Sequence, residues 1–201
     1  FYRLRIGRKS GLITEIYDKI RDRSLLSSPI HIRIYNDAPN MRRRNLAGFY
    51  AHVFDAWEIF IRDNDNQYVP ITNASKVRIV EDSSLISIVE SLFKYKDCYG
   101  RTSKFVLKYI LDDTDVIKIE VDADWRSPHH MVKLVFPFNI ETDYAVYGAP
   151  YGKVVRRDPD SPRATEFDRA KYEVPSTGWM CIRDKEIGVA IATISRFGFS
   201  K

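Results

Sequence analysis

The recurring period along this chain is two. In "VIKIEV" (116–121), Ile117, Ile119 and Val121 point one way while Lys118 and Glu120 point the other. Successive strand residues face opposite sides of a sheet, so the segment predicts a half-buried antiparallel strand. "KVRIVE" (76–81) alternates in the same way. The opening "FYRLRIGR" and the segments "LITEIY" (12–17), "IHIRIY" (30–35), "LISIVESLFKY" (85–95), "KFVLKYIL" (104–111) and "MVKLVFPF" (131–138) are strand-like in length and in β-branched and aromatic content. Turn-forming clusters separate them: "KSG" at 9–11, "SSP" at 27–29, "NDAPN" at 36–40, "RDNDNQ" at 62–67, "LDDTD" at 111–115 and "RDPDSPRAT" at 157–165. No apolar i, i+3, i+4, i+7 stripe persists for three turns. The nearest is "FYAHVFDAWEIFIR" (49–62), and its Val53, Ile59 and Ile61 favour a strand there too. Short strands with turns every ~8–12 residues predict an all-β fold, a large antiparallel β-sandwich or a barrel.

Composition changes this picture little. The 201 residues are 44% hydrophobic and 29% charged, as in an ordinary globular domain. No apolar stretch approaches the ~20 residues of a membrane span, so no membrane partner is expected. The net charge is +5, but 27 acids are mixed among 32 bases. The basic run Arg42-Arg43-Arg44 is followed by no aromatic ladder, which argues against nucleic acid as a partner. Cys98 and Cys181 match no metal or redox spacing and read as reduced thiols of a cytoplasmic protein, with a long-range disulfide as the alternative. The chain opens at Phe1 directly in strand-like sequence, so the expectation is a domain of a longer protein with no targeting segment of its own.

The chemistry is thin. Asp122, Asp124, His129 and His130 lie within nine residues and invite a metal reading. A zinc site needs three or four ligands converging on one sphere. Neighbouring His129 and His130 would face opposite sides of a strand, and there is no HExxH, CxxC or HxH. A nucleophile elbow GxSxG, a P-loop and a GxGxxG are likewise missing from the sequence. No complete active site, and no metal site, is expected in this chain.

The same residues carry a resemblance. "DWRSPHHMVKLVFPF" (124–138) resembles the D-W-h-E-x-H-x-x-L-K-V-x-F-P stretch of the C-terminal β domain of family 38 glycoside hydrolases, the α-mannosidases. Asp124, Trp125, His129, Lys133, Phe136 and Pro137 fall in register. "GLITEIYDK" is similar to G-x-I-x-S-I-Y-D-K, and "DAWEI" to D-A-W-D-I through Asp55, Ala56, Trp57 and Ile59. "APYGKVVRRD" is similar to P-[YF]-G-x-x-x-R at Pro150, Tyr151, Gly152 and Arg156, and "AKYEVPSTGW" to A-x-[FY]-E-V-P-x-x-x-W. Last, "GVAIATISRFGF" resembles G-V-A-L-L-N-D-S-K-Y-G-Y. The order is kept from Gly11 to Phe199. Departures are Ser127 for a Glu, Cys181 for an Asp and Thr193 for an Asn.

The resemblance implies much that the residues alone do not. Family members are retaining exo-acting α-mannosidases in which zinc binds hydroxyls of the terminal mannose and an aspartate attacks the anomeric carbon. Both belong to an N-terminal α/β domain. This chain would then be a single β-sandwich domain over 1–201, of galactose-mutarotase-like supersandwich form and cut short at its C-terminal end. It would be inactive by itself, with its own N-terminal catalytic domain and a mannose-containing oligosaccharide as partners. Strands expected beyond Lys201 would leave an open edge, through which copies would form a homo-oligomer. Asp124 and His129 would form a hydrogen-bonded corner, with Trp125 packed and Pro128 breaking the ladder. Asp55, Trp57 and Arg156 are the candidates for reaching the sugar cleft; core packing for Trp57, a structural hydrogen bond for Asp55 and a salt bridge for Arg156 are the plainer roles. The competing reading is a free-standing carbohydrate-binding sandwich that does not cleave.

Overall fold

The computed structural model describes residues 1–37, 68–169, 171, 173–194 and 198–201. Sixteen strands and one four-residue helix run through them, so the all-β reading holds. The chain divides into two compact units, Phe1–Phe138 and Asn139–Lys201.

In the first unit, β6 (Lys76–Asp82), β7 (Ser87–Lys96), β8 (Thr102–Leu111) and β9 (Ile117–Asp124) form an antiparallel meander in that order. One face is the core: Phe93, Phe105, Leu107 and Tyr109 are buried. Phe93 and Phe105 are direct cross-strand partners whose rings stack at 5.2 Å. The other face is wet. Register sets Arg78, Glu90, Lys108 and Glu120 in one row across all four strands, with Arg78–Glu90 and Lys108–Glu120 ion pairs. The period of two read from sequence is these two faces, except on the edge strand β6, where Ile79 is 69% exposed and only Val77 is half-buried.

A second layer is built from β1 (Tyr2–Ile6), β2 (Ile13–Asp18) and β3 (Arg23–Ser24), with β4 (His31–Asn36) between β10 (His130–Val135) and β5 (Tyr68–Ile71). Ile13, Ile16, Ile32 and Ile34 are buried. Two contacts tie the layers: the Tyr109 hydroxyl donates to the Gly11 carbonyl at 2.9 Å, and the rings of Tyr95 and His130 lie 5.7 Å apart. This is the two-layer packing of a sandwich.

Three expectations shift. The strand read over 85–95 begins at Ser87, because Ser83 N–H donates to the Ile86 carbonyl and closes a turn before it. The strand read over 131–138 ends at Val135, since Pro137 has no N–H to donate to a ladder; Phe138 forms an isolated bridge to Leu26 instead. Val121 is 60% exposed although it alternates with core-facing neighbours, because β9 is an edge strand at the rim of the core.

In the second unit, β12 (Gly152–Arg157), β11 (Tyr144–Ala149), β14 (Trp179–Arg183) and β15 (Gly188–Ala192) make an antiparallel sheet in that order. The short β13 (Val174–Pro175) and β16 (Gly198–Phe199) pair separately, and α1 spans Glu166–Arg169. Ala145, Tyr147, Met180 and Ile182 are buried. Among the described residues no helix is long and apolar enough to cross a membrane.

Candidate functional site

Of the three candidates for the cleft, Asp55 and Trp57 lie outside the described residues. Arg156 is on β12, opposite Ala145 of β11. The hairpin that carries it is anchored close to its turn. Gly148 lies so close under Trp179 that a Cβ there would be 2.4 Å from the indole nitrogen. The Gly148 carbonyl accepts from Thr177 N–H at 3.0 Å and from the Ser176 hydroxyl at 3.2 Å. At its tip Tyr151 takes φ +62° and stands fully exposed. A non-glycine residue in this region is uncommon and marks a constrained turn.

The Arg156 guanidinium carbon sits 6.0 Å from the centroid of buried Tyr147. Burial pushes the Tyr147 phenol up, and the Arg156 charge works against that shift. The Arg156 Nε is buried and has no hydrogen-bond partner. Its neighbours in the same recess are committed elsewhere. Arg157 donates to the Tyr144 hydroxyl at 2.8 Å and to the Arg163 carbonyl at 2.9 Å. Lys201 pairs with Asp158 and donates to the Thr142 carbonyl. Asp168 closes the first turn of α1, accepting from Thr165 N–H at 2.9 Å, and those hydrogen bonds hold its carboxyl below the usual range. Arg156 is thus a half-exposed cation near the base of this hairpin, with its Nε buried and without a partner. That arrangement can hydrogen-bond a hydroxyl or pair with a carboxylate.

The "DWRSPHH" corner of the first unit is laced with hydrogen bonds. Asp124 faces Arg126, whose Nε lies 2.9 Å from both carboxylate oxygens. His130 Nδ1 is 2.6 Å from the Pro128 carbonyl oxygen. His129 takes φ +53° and accepts Asp37 N–H on its carbonyl. Trp125 stacks on Tyr95 at 5.9 Å and an interplanar angle of 7°, so it packs as expected. Among the described residues no group of three His, Cys, Asp or Glu side chains is placed to hold a metal ion.

Sequence reasoning missed the polar knot beneath this corner. Ser103 and Ser127 are buried and share a hydrogen bond of 3.0 Å, and Ser103 also accepts Arg126 N–H at 2.9 Å. Asp97 accepts Tyr99 and Arg101 N–H at 2.9 and 2.8 Å. Burial alone would push the Asp97 carboxyl up; those N–H groups, the Arg101 charge and the Ser127 hydroxyl outweigh it and hold it down. Ser127, which stands where the resembled pattern has a Glu, is buried and lends its hydroxyl to Asp97. The available signal was "DCYG" (97–100), whose Asp and Gly mark a turn, with Gly100 at φ +80°.

Comparison with known proteins gives a consistent result. A model of the glycosyl hydrolases family 38 C-terminal domain matches residues 1–201. An alpha-mannosidase of Saccharomyces cerevisiae is 24% identical over 208 aligned positions, covering 97% of this chain and 18% of that protein. Alpha-mannosidase 2C1 of Mus musculus is 25% identical over 84 positions, 42% of this chain and 8% of that protein. The human alpha-mannosidase 2C1 is 24% identical over 84 positions. The chain therefore spans less than a fifth of the length of these relatives.

Proposed function

The chain belongs to the C-terminal domain of family 38 glycosyl hydrolases, and from that premise we propose that it is the β domain of a zinc-dependent retaining α-mannosidase acting on mannose-containing oligosaccharides. The observation that carries this reading is the match over residues 1–201 together with an α-mannosidase relative covering 97% of the chain. In this reading residues 1–201 work as one sandwich domain alongside an N-terminal catalytic domain.

In this reading zinc is not held by this chain; among the described residues no group of three His, Cys, Asp or Glu side chains is placed to hold a metal ion. Zinc and the attacking aspartate are assigned to polypeptide outside it, and the chain alone is inactive. What the chain supplies is positioning. Arg156, half-exposed on its hairpin, walls the cleft and hydrogen-bonds a sugar hydroxyl through its guanidinium; Asp55 and Trp57, outside the described residues, stay candidates for the cleft through their motif alone. Cys98 and Cys181 are both free thiols, which suits a cytoplasmic location. The reading extends to association between copies through an open sheet edge.

The test is Arg156→Ala in the enzyme that includes the catalytic domain, assayed on an aryl α-mannoside. Loss of one charged hydrogen bond to substrate predicts a fall of about 10- to 100-fold in kcat/KM. An unchanged kcat/KM with an intact fold removes Arg156 from the cleft.

A further inference from the structure

The edge of a sheet is a row of main-chain donors and acceptors that another strand can pair with, and proteins usually guard it with charge, proline or a bulge. Among the described residues the edge strands of four residues or more are guarded with one exception. β1 carries Arg3 and Arg5 and a register shift. β5 contains Pro70. β6 carries Lys76, Arg78, Glu81 and Asp82 and a bulge. β9 alternates Lys118, Glu120, Asp122 and Asp124; β10 holds Lys133; β12 ends in Arg156 and Arg157. β15 reads Gly188-Val189-Ala190-Ile191-Ala192, with neither charge nor proline. It pairs with β14 over five consecutive residues without a shift. Gly188, Ala190 and Ala192 are exposed, and Ile194 just beyond is fully exposed.

We propose that β15 pairs antiparallel with β15 of a second copy about a two-fold axis through Ala190. The sequence is self-complementary in that register. Gly188 meets Ala192 and Val189 meets Ile191, so small residues oppose small ones on one face and β-branched residues oppose each other on the second. No charges meet along the ladder. The equivalent two-fold on β12 would set Lys153 against Arg156 twice, which opposes pairing there. The product is one continuous sheet in the order β12-β11-β14-β15-β15-β14-β11-β12, closed by the symmetry that most soluble dimers use. Five residues a side make a small interface, so monomer and dimer exchange with concentration.

Sedimentation velocity over a wide concentration series tests this on the 201-residue chain. The average mass rises from 23.4 kDa toward twice that value. Ala190→Lys places two ammonium groups across the axis and weakens dimerisation at least ~10-fold, at an unchanged thermal midpoint. If that variant fails to fold, a Cys98→Ser, Cys181→Ser, Ala190→Cys protein decides, Cys181 being removed because it lies directly opposite Ala190 on β14: mild oxidation links it into a dimer, and the Cys98→Ser, Cys181→Ser protein stays unlinked. A chain that stays at 23.4 kDa throughout, a dimer that Ala190→Lys leaves intact, or an Ala190→Cys protein that does not cross-link would each overturn the pairing.

Discussion

The phenol of Tyr109 donates to the main-chain carbonyl of Gly11 across 2.9 Å, joining points 98 residues apart in the chain. Tyr109 is on β8 in one layer, and Gly11 precedes β2 in the other. Burial has driven the phenol's pKa far up, so it stays a donor throughout the ordinary pH range. Tyr109→Phe keeps the ring and leaves the Gly11 carbonyl without its partner. The expected cost is about 1–3 kcal/mol in urea unfolding, with an unchanged m-value.

Gly11 is the sharper test of the same seam. Its φ is +66°, and a Cβ would lie 2.6 Å from the Ala74 Cβ and 2.9 Å from the Ser91 Cβ. Both neighbours are short and cannot swing away. Gly11→Ala combines left-handed strain with overpacking, about 2–5 kcal/mol in total. Denaturation midpoints, or failure to accumulate folded protein, will show it; a change near zero would mean the layers do not meet here.

Asp97 gives a signed pH dependence. Its carboxyl titrates below the ordinary value of 3.8 in the folded chain, so between the folded and ordinary values the unfolded chain binds more protons. Its stabilisation is therefore fully present above about pH 4 and is lost as pH falls through the folded value. Asp97→Asn should lower the urea midpoint at neutral pH and flatten its decline on the acid side. A variant that follows the wild-type pH profile in parallel would show that Asp97 contributes nothing to it.

The Arg78–Glu90 and Lys108–Glu120 pairs run the other way. All four side chains reach water, and exposed pairs contribute only about 0.2–1 kcal/mol. Glu90→Gln should cost no more than that, and molar salt should erase most of the difference.

Much of this fold was legible because its strands keep one wet face. Lys104, Lys108, Phe105 and Tyr109 on β8 alternate as their sequence does. What was not legible lay in contacts between distant segments. Nothing near Ser127 announces that it will meet Ser103 and Asp97, because the meeting depends on how β7, β8 and the corner after β9 converge. The ends of β7 and β10 shifted for local reasons, a turn at Ser83–Ile86 and the missing donor of Pro137. Arg156 could be singled out by its motif, but its seat against Tyr147 follows from the β11–β12 register. The sequence placed Asp122, Asp124, His129 and His130 close along the chain, while Asp124 pairs with Arg126, the backbone turns at His129, and His130 Nδ1 meets the Pro128 carbonyl.

The central claim is that glycosidic bond cleavage belongs to polypeptide outside these 201 residues while the β domain positions the substrate. The most direct test is to purify the 201-residue chain, measure its zinc content by mass spectrometry and assay it on an aryl α-mannoside. The account predicts a folded protein with no stoichiometric zinc and no turnover; zinc-dependent hydrolysis by this chain alone would contradict it.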